Sequence, residues 1–430
     1  MKLLPTFEYW YPPLVVAHTP TDETKRRNRV SILCVLAILN LISIADRYLL
    51  PDVQPLIQRE FRLSDSAVGA LSSAFFFVFM ASMPVATWIG RLTSRKVMTC
   101  GAALVWSCLM MFSAMSKSYH ALLINHALFA AGEASFAIFA PVVIAETFPA
   151  EKLHRVLIVF SSAVPLGTAV AFAMASLAHR DGWRAPLYDM AAVGLLAAVG
   201  AAALINDPDR RSEGVQGAMV SARSSKSLAT SGKYLATVLG GCCLAFSMVG
   251  FAVWLPTLLL RNLNLPLGEI NTTLSLITVA TGVLGVILGG LMADYWLRRT
   301  TGALYLVSAL SMLLAGFFGA ITIFAPASLA FVTIAATQLC FFLNTAPMGA
   351  AILNSVHASL RAPALAGSMF IVHALGSGIS PVFIGWIADH SSLKAGLAVA
   401  LIPLGIGAIG LLLGAKAPLC TGPEKDHALS

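Results

Sequence analysis

Charge is what this sequence has least of. Only 11% of its 430 residues are Asp, Glu, Lys or Arg, against about 25% in a typical soluble domain. That shortfall excludes an ordinary soluble enzyme or binding module. Cysteine carries no signal either. The seven cysteines are scattered, mostly inside apolar runs (Cys34, Cys100, Cys108, Cys242, Cys243, Cys340), and their spacing supports neither a disulfide framework nor a metal site. A phosphate loop, a zinc spacing and a nucleophile elbow are all missing, so no cofactor or metal is expected. A cleavable leader is missing too. The first 29 residues are broken by Pro5, Pro12, Pro13 and Pro20 and hold only the short apolar patch LVVA, so the first long apolar run is expected to serve as the targeting signal.

What is there is apolar length. The chain is 58% hydrophobic, with a mean hydropathy of +0.81. A bilayer core about 30 Å thick takes about 20 apolar residues as a helix. Twelve such windows can be marked: Val30–Pro51, Ser66–Gly90, Val97–Ser116, Ala121–Ala145, Arg155–Ala178, Pro186–Ile205, Tyr234–Leu260, Glu269–Ala293, Thr301–Thr322, Pro326–Asn354, Pro363–Ala388 and Ala395–Ala415. The first is expected to continue past Pro51 towards Leu56, with a kink at the proline. Lys and Arg favour cytoplasmic loops. With both termini inside, 20 of the 28 basic residues fall on the inner side and seven on the outer, with Arg47 inside a span. The one long polar break, Asn206–Lys233, reads as a cytoplasmic linker. The predicted organisation is an all-α membrane protein: tail 1–29, six-helix bundle 30–205, linker 206–233, six-helix bundle 234–415, tail 416–430.

The halves also repeat. GRLTSRK (Gly90–Lys96) follows the second span, and GLMADYWLRR (Gly290–Arg299) follows the eighth, 200 residues later. Two parallel six-helix repeats with a site between them at the midplane is a transporter plan. Trp183-Arg184, between spans 5 and 6, reads as an interface anchor. Gly282, Gly285, Gly289 and Gly290 read as helix-packing positions, and Gln338, Asn344 and Asn354 as interhelical hydrogen bonders.

Three charges interrupt the apolar runs: Asp46 and Arg47 in span 1, Glu133 in span 4. A charge at mid-membrane costs about 2.5–3.5 kcal/mol on insertion scales, so these residues should face an interior and have partners. They are the candidate proton-coupling site; the structural alternative is that they only tie two helices together. Neighbours on a helix point about 100° apart, so Asp46 and Arg47 cannot share a partner. The expected arrangement has Arg47 reaching span 4, and Asp46 facing either the cavity or a neighbouring helix. His126, Ala130, Glu133 and Ala137 share one face of span 4; Asn40, Ser43 and Arg47 share one face of span 1. These stripes, with His373 and Ser377 on span 11, are the expected cavity lining. Either histidine could carry a proton or merely bond helix to helix.

The Gly-x-x-x-Asp turn with following arginines resembles the loop signature of the major facilitator superfamily. Gly290, Asp294, Arg298 and Arg299 match it and are the expected cytoplasmic gate; in the first copy Ser94 stands where the acid belongs. Four further stretches, ADRY (Ala45–Tyr48), GEASFAIFAPVVIAETFP (Gly132–Pro149), AVPLG (Ala163–Gly167) and FIVHALGSGISPVFIGWIAD (Phe370–Asp389), resemble the spinster-like family of that superfamily. The resemblance implies proton-linked movement of lysolipids or sphingoid phosphates, with Asp46 and Glu133 as protonation sites and Arg47 beside them. It departs at Ser377, where the family often has an acid. The expectation is therefore a secondary transporter working by alternating access, driven by the proton gradient without a cofactor. Its expected partners are an amphipathic lysolipid-like substrate, protons and membrane lipids, with no nucleic acid, acting as a monomer in a bacterial inner membrane. An exporter of drugs or small organic ions is the alternative, and a non-transporting receptor or scaffold a more distant one.

Overall fold

The computed structural model describes residues 22–149, 156, 159–205, 228–263, 265–300, 302–324, 326–357 and 360–416. Most of the expected linker and both outermost tails lie outside the described residues, as do Lys152 and Arg155. Among the described residues twelve helices are long and apolar enough to cross a membrane: Arg29–Asp52, Asp65–Ile89, Val97–Ala114, Tyr119–Thr147, Val159–Ala178, Arg184–Leu204, Gly232–Leu263, Leu267–Leu297, Ala303–Phe324, Ala330–Asn354, Ala364–His390 and Leu393–Gly414. They are spans 1 to 12. Their lipid-side faces carry exposed leucines such as Leu196 and Leu413; their inner faces bury large side chains such as Trp106, Phe129 and Trp254.

Several boundaries have local causes. Serines cap spans 2, 4 and 12: Ser64, Ser118 and Ser392 accept from the amides of Ala67, Ala121 and Ala395, each cap contributing about 1 kcal/mol. Span 1 does not run on to Leu56. Its helix ends at Asp52, and a separate short helix, Gln54–Phe61, follows with proline in its first turn. Pro55 has no N–H to give the carbonyl of Pro51, and proline is tolerated at a helix start. The helix of span 1 also starts earlier than expected, at Asp22. Two spans carry π-helical turns, Val97–Gly101 at the start of span 3 and Val372–Ser377 inside span 11. Span 10 breaks at Asn344, whose amide donates to Ser311 at 2.6 Å.

The halves meet along spans 2 and 11, 5 and 8, and 1 and 7. Glycines permit the closest approaches. A Cβ on Gly385 would lie 2.5 Å from the carbonyl oxygen of Asp65, so no larger residue fits there. Polar contacts between the halves gather at the end bearing the loops 1–2, 7–8 and 11–12, the end that the charge count leads one to expect outside. Arg261 donates to both carboxylate oxygens of Asp65, at 2.9 and 2.6 Å. Asp389, at the end of span 11, accepts from the amides of Asp65 and Ser66 at 2.7 and 2.9 Å. A carboxylate of one half thus sits on the positive end of a helix of the other. Val382 donates its amide to Ser73 at 3.1 Å, and Gln54 donates to Thr257 at 3.3 Å.

Candidate functional site

Arg47 and Glu133 meet where spans 1 and 4 cross. Arg47 Nε and a terminal nitrogen both donate to one oxygen of Glu133, at 3.1 and 3.0 Å. Ser43, one turn before Arg47, donates to the other oxygen at 2.6 Å. Glu133 is fully buried, while the Arg47 side chain keeps 14% of its surface. Its guanidinium also lies over the rings of Phe75 and Phe79, 5.2 and 5.0 Å from their centroids. Two aromatic faces and a carboxylate therefore hold one always-charged group.

Asp46 goes the other way, as the helical phase requires. It is completely buried, and neither carboxylate oxygen has a hydrogen-bond partner. The indole of Trp106 on span 3 is a polar neighbour, but no hydrogen bond closes between them. Of the two placements open from the sequence, this is the neighbouring-helix one; Asp46 lines neither cavity described below. The Asp46 and Glu133 carboxylates are still close enough to interact electrostatically.

Two cavities lie between the halves. The larger, about 610 Å³, is walled by spans 1, 5, 7, 8, 9 and 10 and is mostly apolar, with Phe172, Met248, Phe251 and Phe341 among its lining. Its polar groups are neutral: Tyr48, Thr168, Thr278, Thr322, Thr337 and Gln338. Thr278 and Thr281 donate to the Gln338 carbonyl oxygen at 3.1 and 3.2 Å, which orients the amide. The smaller, about 210 Å³, is lined by Arg47, Tyr48, Pro51, Ser72, Phe75, Phe76, His126 and Val253. Tyr48 borders both.

The expected lining is corrected accordingly. His126 lines the smaller cavity. Asn40 instead donates to the carbonyl of Phe160 at 2.9 Å, Ser43 serves Glu133, and Ala130 is sealed in the core. Ala137 packs against the same core. His373 stacks on Phe76, with centroids 5.8 Å apart, and lies edge-on to Phe79. Ser377 is buried and bonded to His373 at 3.3 Å. None of these six lines either cavity. Tyr48, the phenylalanines of span 2 and the threonines of spans 8 to 10 do so, or border the site. The ADRY stretch pointed at Tyr48; nothing in the spacing singled out the threonines.

At the opposite end Asp294, Arg298 and Arg299 are exposed and Gly290 faces open space, so in this conformation they join nothing across the halves among the described residues. Ser94, in the acid's place, accepts from the amide of Val97 at 3.3 Å and caps the π-helical turn. Arg95 pairs with Glu146 of its own half at 3.4 Å. Trp183 is buried rather than an interface anchor. Its indole and Arg184 both bond Glu60, at 2.7 Å and at 2.8 and 2.7 Å, clamping the loop 5–6 to the short helix after span 1. These bonds, those from Arg184 foremost, hold the Glu60 carboxyl below its ordinary range.

Comparison with known proteins fits this geometry. A model described as the Major Facilitator Superfamily matches residues 36–362. The chain is 29% identical to the sphingosine-1-phosphate transporter SPNS2 of Danio rerio, over 83% of this chain and 75% of that one. It is 31% identical to the protein spinster homolog 3 of the same fish, over 86% of this chain and 79% of that one. Among solved structures, a bacterial homolog of the human lysosomal transporter Spinster, inward-facing and unoccupied, superposes with a TM-score of 0.79 at 18% identity, covering 90% of this chain and 97% of that one. The nucleoside transporter NupG is also similar in fold, with a TM-score of 0.72, 11% identity, and coverage of 90% and 99%.

Proposed function

The chain belongs to the spinster family of the major facilitator superfamily, and from that membership we propose that it moves a lysolipid-like anion across the membrane in exchange with, or together with, protons. That it is a membrane transporter and not an enzyme follows from its relatives; the substrate and the coupling are our reading. One observation carries the substrate class. The large apolar cavity has no charged side chain, and it abuts, through Tyr48, a small cavity whose one charged group is Arg47. An acyl or sphingoid tail suits the first and an anionic head group the second. The relative named a sphingosine-1-phosphate transporter supports the same pairing.

The Arg47–Glu133–Ser43 cluster and the buried Asp46 support proton coupling. With Arg47 charged and both acids ionised the group carries one net negative charge; one proton makes it neutral, the form the membrane interior prefers. Uptake of that proton eases passage through an occluded state. The polar contacts at the outer end support an inward-facing conformation, and Asp294, Arg298 and Arg299 would form contacts only when the inner end closes. The cycle needs one chain, since both cavities and all three charges lie within it. The proton gradient is then the energy source, and both termini sit in the cytoplasm.

Binding to purified protein in nanodiscs tests the substrate class. Lysophospholipids of rising chain length should bind more tightly by up to about 0.8 kcal/mol per added CH₂ until the cavity is full, and an uncharged head group should weaken binding. Affinity indifferent to both chain length and head-group charge would overturn this reading.

A further inference from the structure

Asp52 is a second buried acid that the site above does not use. It closes span 1 at the seam between the halves, six residues after Asp46. It is 0% exposed, and both its carboxylate oxygens lack any hydrogen-bond partner. Its own carbonyl accepts from Asn271 of span 8 at 3.2 Å. Two residues on, Gln54 donates to Thr257 of span 7. The segment around Asp52 is thus tied to the opposite half on two spans, by its own carbonyl and by the side chain of Gln54, while the Asp52 carboxyl has no partner among the described residues.

We propose that Asp52 is a proton-binding site of the outer gate, filled while that gate is shut and emptied to the outer water as it opens. The proposal rests on the alternating-access reading and goes beyond it, because it adds a titrating group outside the Asp46, Arg47 and Glu133 cluster. A carboxylate ion without a donor in an apolar interior is strongly disfavoured, and accepting a proton removes that penalty. The proton comes from the outer aqueous phase and returns to it. Parting of the halves breaks the bonds from Asn271 and Gln54 and brings water to the carboxyl. Exposed carboxyls are ionised above about pH 4. Closing the outer end and protonating Asp52 then favour each other by linkage.

The surroundings leave Asp52 to itself. Tyr48, one turn earlier, is the titratable group it interacts with. Among the described side chains, span 4 presents Glu133, held by Arg47 and Ser43, and His126, which lines the small cavity. Span 5 ends in the exposed Asp181, and span 6 carries the exposed Tyr188 and Asp189. Span 7 offers Arg261, engaged by Asp65 and Gln58. Span 8 begins with the exposed Glu269, and on the short helix Glu60 is held by Arg184 while Arg59 is exposed. Among the described side chains no base is placed to neutralise an ionised Asp52.

The test reads the outer gate directly. Spin labels replace the exposed Lys117 and Lys394, one in each half at the outer end, and double electron–electron resonance gives the distance populations across pH. The double variant Asp46→Asn, Glu133→Gln silences the two acids of the coupling site. With Asp52 intact, the closed-to-open ratio should still rise up to tenfold for each unit of acidification. Adding Asp52→Asn should make it flat and biased to closed. Loss of the pH response while Asp52 is intact overturns the proposal without any Asp52 variant having to fold. So does its survival after Asp52→Asn. If the labels instead report one distance in the wild type at every pH, with and without lysolipid, alternating access fails and the proposal falls with it. Two interchanging distances with an unchanged pH response in Asp52→Asn reject the proposal alone.

Discussion

Glu133→Gln separates coupling from architecture, because the structure says what the amide can keep. The amide oxygen can take the two bonds from Arg47, and the amide nitrogen can donate to Ser43, whose hydroxyl turns round to accept. All three contacts survive: Arg47 at 3.1 and 3.0 Å and Ser43 at 2.6 Å. What is lost is charge. Bonds to a charged partner contribute about 1.5–3 kcal/mol and neutral ones about 0.5–1.5 kcal/mol, so the exchange should cost about 2 kcal/mol. That is less than the 3–5 kcal/mol or so of deleting one partner of a buried pair. The variant should fold and still bind substrate. The functional effect is larger. One coupled proton lets each pH unit across the membrane, about 1.4 kcal/mol, change the steady-state substrate ratio tenfold. In proteoliposomes the wild type should approach that slope and Glu133→Gln should give a ratio near one at every imposed gradient. A folded Glu133→Gln protein that keeps the tenfold slope would show that Glu133 is a structural tie and not a proton carrier.

Asp389→Ala should free the first amides of span 2 and weaken the outer latch by about 1–2 kcal/mol, raising labelling of outer-end cysteines; an unchanged pattern removes Asp389 from the gate. Asp294→Asn should act in the opposite sense, favouring the conformation described here, because Asp294 is exposed in it and would be engaged only in the other; accessibility that does not move refutes that role. The third concerns pH. Glu60 is held below its ordinary carboxylate range, chiefly by the bonds from Arg184, so its contribution is complete above that range and lost as pH falls through the lowered value. Because the pair is substantially exposed the effect should be under about 1 kcal/mol. Melting temperatures of wild type and Glu60→Gln should therefore differ slightly at neutral pH and converge in acid.

The fold was legible because a membrane span is written in composition: each run of about 20 apolar residues announces itself. The Arg47–Glu133 pairing was legible because buried charges need partners and because helical phase forbids Asp46 and Arg47 the same one. Three things were not. The break after Asp52 depends on Pro55 depriving one carbonyl, which a hydropathy window averages away. The cavity lining depends on how two bundles tilt, so a helical stripe shows which residues share a face but not which face meets open space; Ala130 and Ser43 share Arg47's side of the crossing and are filled by it. Asp52 lies at the edge of an apolar run, where an acid is ordinarily solvated, so its burial has no signature in the sequence. Here the opposite half lies against this end of span 1, with Asn271 on the Asp52 carbonyl and Thr257 on Gln54, and Asp52 is buried.

If protons drive the cycle, the distribution of buried charge gives the two halves different tasks. Among the described buried residues every carboxylate and imidazole, namely Asp46, Asp52, Asp65, His126 and Glu133, lies in the first half; the buried polar groups of the second are Ser, Thr and Asn. A bundle whose buried polar groups are neutral can move against one that gains and loses protons without moving buried charge of its own. For protonation to drive that movement, the charged half must touch the neutral half near each acid. It does so twice. At the outer seam Asp52 lies under Asn271. Deeper in, Arg47 presses on Phe79, and Phe79 meets His373 at a centroid separation of 5.6 Å, on the π-helical turn of span 11. A widened helical turn is easier to reshape than a regular one and is often found at functional sites. Phe79→Ala would leave Glu133, Arg47 and Ser43 bonded but remove the ring that links Arg47 to His373 of span 11. Substrate movement should then lose its dependence on the proton gradient while the cluster stays intact. Retention of the wild-type pH slope by Phe79→Ala would place the transmission elsewhere, at the outer seam or along spans 5 and 8.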